Sequence, residues 1–170
     1  MNTSSRIALV TGATRGIGLE TVRQLAASGV HTLLAGRNRE RAVEAALKLQ
    51  ADGLPVEAIA LDITNAADIA SAAKAIEDRH GRLDILVNNA GILADDPQLG
   101  AAGQSIDTWR TTFETNVFGL IATTQALLPL LHRSTAGRIV NVSSLLGSIS
   151  AHQDPESFIY DFKGVPAYNV

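Results

Sequence analysis

RIALV runs straight into TGATRGIG at residues 6–18, and the reading of that junction decides the fold. The first five residues are aliphatic and β-branched over a length that suits a buried strand. The next eight carry Gly12, Gly16 and Gly18 and open a stretch of helical period. Glycines so placed suit a tight turn in which backbone comes close to a pyrophosphate. A helix starting behind the turn offers free N–H groups and a partial positive charge to phosphate oxygens. A glycine-rich turn alone also serves as a plain strand-to-helix connection. Its position after the first strand of an α/β pattern favours the nucleotide site. No Gly-Lys-Ser/Thr follows, which excludes a P-loop.

The alternation continues along the chain. RIALV (6–10), HTLLA (31–35), VEAIAL (56–61), DILV (84–87) and RIVNV (138–142) read as strands. GIGLETVRQLAASG (16–29) puts Ile17, Val22 and Leu25 on one side and closes at Gly29. ERAVEAALKLQADG (40–53) has apolar residues at 43, 46, 47 and 49 and also closes in glycine. NAADIASAAKAIEDRHG (65–81) opens on an Asn cap and carries Ile69, Ala72, Ala73 and Ile76 on one face. The longest helical stretch runs from about Ile106 to His132. The expected fold is α/β: a Rossmann-like, doubly wound parallel sheet covered on both faces, built as one domain over residues 1–170. Five strands are legible, and the six-strand dinucleotide-binding arrangement needs at least one more, so the C-terminal end is expected to be a strand short.

Composition narrows the function classes. A chain of 170 residues can bury about 70% of its unfolded surface. A net charge of −3 does not suit a chain whose main partner is nucleic acid. No cysteine is present, which removes disulfides, thiolate metal sites and cysteine nucleophiles. The start lacks the pattern of a secretory leader, and GLIATTQALLPLL is too short and too threonine-rich to span a bilayer. A soluble, cytoplasmic protein is expected.

The end of the second strand chooses the dinucleotide. An NAD site wants a carboxylate there for the ribose 2′-OH. Here the text is AGRNRE (35–40), with no acid before Glu40. Arg37 stands at that place, and Arg15 lies inside the glycine loop. Two guanidinium groups suit a 2′-phosphate, which points to NADP(H). Arg39 reads as a solvated turn residue.

TGATRGIG, LDIT (61–64), NNAG (88–91), Asn116 and NVSS (141–144), in that order, resemble the short-chain dehydrogenase/reductase family over the chain from Arg6 onward. The resemblance implies that Asp62 and Ile63 contact the adenine. It implies that Asn89, Ala90 and Gly91 line the cofactor through their backbone while Asn88 steadies the sheet. Thr14, Ile17 and Asn38 join Gly12, Arg15, Gly16, Gly18 and Arg37 in the expected cofactor set. In the same resemblance Asn116 holds a water in a proton relay, Ser144 orients the substrate carbonyl, and a tyrosine donates the proton. The residues carry part of this unaided. NNAG and NVSS lie at the carboxyl ends of strands, where open α/β sheets bind ligands, and a serine hydroxyl can donate to a carbonyl without carrying charge. Ser143 reads as ordinary loop capping.

The family's proton donor sits in Tyr-x-x-x-Lys, where an ammonium group beside the phenol favours its ionised form. Tyr168 follows Pro166 as a helix start would, but its lysine would be residue 172, beyond the last residue of the sequence. Tyr160 has Lys163 three residues on, then Gly164 and Pro166, which oppose a helix. Both tyrosines remain open as the donor, with Tyr168 preferred. GVPAYNV is expected to be the start of Tyr-x-x-x-Lys, and a polypeptide ending at Val170 is expected not to turn over. SISAHQDPESFIYDFKG (148–164) reads as an insertion.

The leading function is hydride transfer between NADP(H) and a small carbonyl or alcohol substrate, with Asn116, Ser144 and Tyr168 as the catalytic set. The alternative from a different class is a non-catalytic dinucleotide-binding sensor or scaffold of the same fold; a nucleotide-sugar epimerase or dehydratase ranks below both. A homo-oligomer, dimer or tetramer, is implied by the resemblance alone. His31, His80, His132 and His152 show no i,i+4 pair and no carboxylate at ligand spacing, so no metal is expected. Asp95 and Asp96 read as turn residues that could instead touch substrate.

Overall fold

The aliphatic runs form five parallel strands: β1 (Ile7–Val10), β2 (His31–Gly36), β3 (Val56–Ala60), β4 (Ile85–Asn88) and β5 (Arg138–Asn141). The computed structural model describes residues 5–169. Its contacts group the chain into two compact units, one of the residues up to Ala90 with Gly119–Asn141, the other of Gly91–Phe118 with the residues from Val142 onward.

The first unit holds the whole sheet, in the order β3-β2-β1-β4-β5. Every residue of β1 is buried, as a central parallel strand covered on both faces requires. Alternation along the strands sorts the core into two clusters. On one face Leu9, Leu33 and Ile59 meet Ile69, Ala72 and Ile76 of α3 (Ala66–His80) and Leu127, Leu130 and Leu131 of α5 (Leu120–His132). On the other, Val10, Leu34 and Val87 meet Val22 and Ala26 of α1 (Gly16–Ala27) and Ala42, Ala45, Ala46 and Leu49 of α2 (Arg39–Ala51). β5 is an edge strand among the described residues, and its Ile139 and Val140 are exposed.

The helices start and stop where local chemistry says they should. The Asn65 side chain accepts from the N–H of Ala67 at 2.9 Å and of Asp68 at 3.3 Å, capping α3. That helix ends on Gly81 at φ +71°. Two details of the expected faces are corrected. Ile17 is exposed rather than packed with Val22, because it stands in the first turn of α1 beyond the edge of the core. Val43 and Leu47 are exposed too; α2 turns its small residues Ala42, Ala45 and Ala46 inward. The long fourth helix is also not uniform. It comprises α4 (Ile106–Phe113), a π-helical segment over Glu114–Gly119 that contains Asn116, and α5.

Asp84, at the entrance to β4, ties the amino ends of the strands. One carboxylate oxygen accepts the Ile7 N–H at 2.8 Å, the other the Ser134 hydroxyl at 2.6 Å, and Arg82 Nε lies 3.2 Å from both. Burial alone would raise this carboxyl's pKa; the bonds from Ser134, Ile7 and Arg82 outweigh it, and the net direction is down. A carboxyl depressed on folding contributes stability above its unfolded value, near 3.9, and loses it as pH falls through the folded value. Acid unfolding should therefore show a limb below about pH 4 that flattens in Asp84→Asn, as circular dichroism against pH would read. An unchanged limb would remove Asp84 from acid stability.

In the second unit Gln104 clasps the loop before α4, donating to the Asp96 carbonyl at 2.7 Å and accepting its N–H at 3.2 Å. The segment around Gly164 packs so closely on Pro97 that a Cβ there would lie 2.5 Å from the Pro97 carbonyl oxygen. Ile159, Val165 and Ala167 are buried. Among the described residues no helix is long and apolar enough to cross a membrane.

Candidate active site

In the first unit the glycine turn and the NNAG loop are built against each other. Gly12 has φ +63°, and a Cβ there would lie 2.7 Å from Ala90 Cα. A Cβ on Gly18 would lie 2.5 Å from Asn89 Nδ2 and 2.8 Å from the Gly12 carbonyl oxygen. The organiser is Thr11, which is buried. Its hydroxyl accepts the N–H groups of Asn89 and Ala90, each at 3.0 Å, while Asn89 Nδ2 donates to the Thr11 carbonyl at 2.8 Å. Sequence reading passes over Thr11, since threonine is ordinary at a strand end; its signal is the hydroxyl placed just before the first glycine. Asn88 donates to Thr124 at 3.0 Å and to Asn141 at 2.9 Å, bracing β4 against β5.

The residues around this turn fit a dinucleotide phosphate. The N-cap of α1 is Arg15, with extended backbone and no side-chain cap, so the first N–H groups of the helix are open to an acceptor. Ile17 offers an exposed apolar surface beside them. Arg15 and Arg37 are exposed, and the salt bridges among the described residues include neither. Thr14 is half-buried, its methyl close enough to Gly36 that a Cβ there would meet it at 2.5 Å. Gly16 has φ +57° and open space around it.

Three expected cofactor residues have other work as well. Asn38 caps α2, its side-chain oxygen accepting the Arg41 N–H at 2.9 Å. Asp62 closes a turn on Thr64, accepting its N–H at 3.0 Å and its hydroxyl at 2.7 Å. Ile63 is buried in the core cluster, so its side chain packs inward.

The second unit holds Gly91, Asn116, Ser144 and Tyr168. Asn116 makes a two-way bond to Ile92: its oxygen accepts the Ile92 N–H and its amide donates to the Ile92 carbonyl, both at 2.8 Å. Ser144 caps a short 3₁₀ turn (Leu145–Gly147), accepting the Leu146 N–H at 3.2 Å. The hydroxyl is thus used as an acceptor there, and its own proton can be donated elsewhere. Tyr168 is half-buried and follows Pro166 in a helical turn, in which the Asn169 N–H reaches the Val165 carbonyl at 3.1 Å. Lys163 stacks its ammonium over the ring of Tyr160, 4.6 Å from the centroid. That is a cation–π contact with the ring face.

Asp95 is more than a turn residue. It is buried, and its carboxylate accepts the Ala167 N–H at 2.7 Å and the Tyr168 N–H at 3.2 Å. It fixes the backbone that carries Tyr168, and 73 residues of sequence separation hide it from any local pattern. With Tyr168 as the expected proton donor, Asp95→Ala should lower kcat about tenfold to a hundredfold, since a misplacement of about 1 Å can cost about 10²-fold. Dinucleotide affinity should stay unchanged, and Asp95→Asn should recover part of the loss. Equal losses in kcat and in cofactor binding would show general unfolding instead.

The short chain dehydrogenase family pattern matches residues 6–155. A short-chain dehydrogenase of Penicillium roqueforti is 41% identical over 156 residues, covering 89% of this chain and 60% of that protein. The (−)-isopiperitenone reductase of Mentha piperita is 38% identical over 183 residues, covering 85% of this chain and 58% of that protein. The crystal structure of an actinorhodin polyketide ketoreductase with NADPH matches with a TM-score of 0.80 at 31% identity, over 97% of this chain and 59% of that one. The chain spans roughly three fifths of the length of these relatives. With its motifs in order on a parallel sheet, the chain belongs to the short chain dehydrogenase family.

Proposed function

We propose that the protein is an oxidoreductase that interconverts a carbonyl and an alcohol on a small molecule, with NADP(H) as its dinucleotide. The observation that carries this reading is the glycine turn with its uncapped helix, flanked by Arg15 and Arg37, neither of them held by a carboxylate among the described residues. A guanidinium pair in that place favours a 2′-phosphate. The ketoreductase structure of similar fold was solved with NADPH, and the Mentha piperita relative is named as a reductase.

Bound NADP(H) would supply or accept the hydride. In the reducing direction Ser144 donates its free proton as a hydrogen bond to the carbonyl oxygen. Tyr168 gives its phenolic proton to that oxygen as the carbonyl carbon receives hydride, so the product is a neutral alcohol and the tyrosine is left to regain a proton from solvent. Asn116 fixes the Ile92 backbone through its two-way bond. The same family reading carries a cytoplasmic homo-oligomer, dimer or tetramer, with substrate as the partner and neither nucleic acid nor membrane.

The test is cofactor choice. Arg37→Asp should weaken NADPH binding about 10- to 100-fold, the range for losing a charge-assisted hydrogen bond, and should improve NADH. Fluorescence titration of both dinucleotides measures it. An Arg37→Asp variant that still prefers NADPH as the parent does would overturn the NADP(H) assignment.

A further inference from the structure

Three side chains that the dinucleotide site does not use converge within the first unit. His31 begins β2, Glu57 is the second residue of β3, and His80 ends α3. Parallel pairing sets Leu33 opposite Glu57, so His31 and Glu57 face the same side of the sheet by the alternation of strand side chains. Ile76, packed in the cluster on that side, is one turn before His80 on α3. The three therefore meet at the amino ends of the strands. The glycine turn leaves β1 at the opposite, carboxyl end.

One carboxylate oxygen of Glu57 lies 3.5 Å from His31 Nε2 and 3.5 Å from His80 Nε2. All three ligand atoms lie within 4.8 Å of one another. Both Nε2 atoms are shut off from solvent, and neither has a hydrogen-bond partner. Orphaned polar atoms in such a place call for an explanation. The Glu57 oxygen that both rings face stands 3.5 Å from each Nε2, longer than a normal hydrogen bond. Two imidazole nitrogens and a carboxylate oxygen instead converge on one spot. Arg79 pairs with the other oxygen of Glu57, the kind of outer partner that orients a ligating carboxylate.

We infer that His31, Glu57 and His80 form a binding site for a divalent transition-metal ion, Zn2+ by ligand type, separate from the dinucleotide chemistry and independent of the function proposed above. Two imidazoles and one carboxylate with an open fourth position are a set that Zn2+ takes. Bonds of about 2.0–2.2 Å in a tetrahedron put neighbouring ligand atoms about 3.3–3.5 Å apart. Both histidine-to-glutamate separations already meet that spacing. The third edge, between the imidazoles, closes when the rings turn toward each other; they now stand 5.2 Å apart between centroids at 47°. A bound ion would fasten β2, β3 and α3 together without touching the redox site.

The test uses the complete protein without a histidine tag, stripped with a chelator and titrated with Zn2+ by calorimetry and with Co2+ by visible absorbance. One Zn2+ per chain, a Co2+ ligand-field band and a higher Tm with Zn2+ are expected, with no response to Mg2+. The His31→Ala/His80→Ala double variant should bind at least about 100-fold more weakly, beyond the 10- to 100-fold lost on removing an outer partner. Circular dichroism reports whether the variant is folded, and Glu57→Gln, which keeps the side chain's size, gives a second reading. No Co2+ band and no Tm shift in the parent protein would overturn the inference. So would Zn2+ binding that survives both variants, since the ion would then sit elsewhere.

Discussion

In a polypeptide that carries the lysine of Tyr-x-x-x-Lys, Tyr168→Phe should cut carbonyl reduction by roughly 10²–10⁴-fold in kcat while leaving NADPH affinity as it was, because positioned proton donation contributes on that scale. The phenylalanine ring keeps the packing of the half-buried tyrosine and removes only the hydroxyl. Backbone geometry should persist as well, since the bonds from Ala167 and Tyr168 to Asp95 involve main-chain N–H groups. Tyr160→Phe is the paired measurement. Its ring accepts Lys163 on a face that phenylalanine also has, so near-parental turnover is expected. If Tyr160→Phe is the dead variant and Tyr168→Phe the live one, the proton donor has been misassigned and the part given to Asp95 falls with it.

Gly12→Ala should combine backbone strain with a backbone clash in the nucleotide turn. An alanine at φ +63° carries about 1–3 kcal/mol of backbone strain. Its Cβ would also lie 2.7 Å from Ala90 Cα, a backbone atom that cannot swing away, and overpacking of that kind adds about 1–3 kcal/mol. Against a total stability of about 5–15 kcal/mol the sum is a large fraction, and Tm should fall by roughly 5–20 °C. Dinucleotide binding should be lost even where the fold survives, because the Asn89–Ala90 loop must shift. Gly16→Ala is the control. It shares the positive φ but has nothing within 4 Å of the added carbon, so it should carry strain alone. Equal losses at the two positions would mean that the contact with Ala90 contributes nothing.

Much of this fold was legible because its signals are local. Strand ends fell within a residue or two of expectation, as a run of aliphatic residues flanked by glycine or asparagine leaves few alternatives. Asn65 and Gly81 mark α3 for the same reason. The helix faces were legible only in part. Period picks out a stripe, but packing decides which flank of it is covered, and so Ile17 and Leu47 lie in solvent. The π-helical segment was hidden because one irregular turn leaves the apolar period almost undisturbed. Thr11, Asp95 and the His31–Glu57–His80 cluster were illegible for a common reason. Each acts on residues from distant parts of the chain, and no spacing rule links positions that meet only after the strands have paired.

The strand order carries a consequence for synthesis. β1 is made first yet lies at the centre of the sheet, and its partner β4 comes about 77 residues later, Ala8 standing beside Ile85. At ordinary ribosomal speeds that interval takes about 4–15 s. Over that time the strand that carries the nucleotide turn can be paired only with β2, one edge of a fully buried strand uncovered. The sheet grows outward from its oldest strand, and the glycine turn gains its far wall, the Asn89–Ala90 loop, only when β4 arrives.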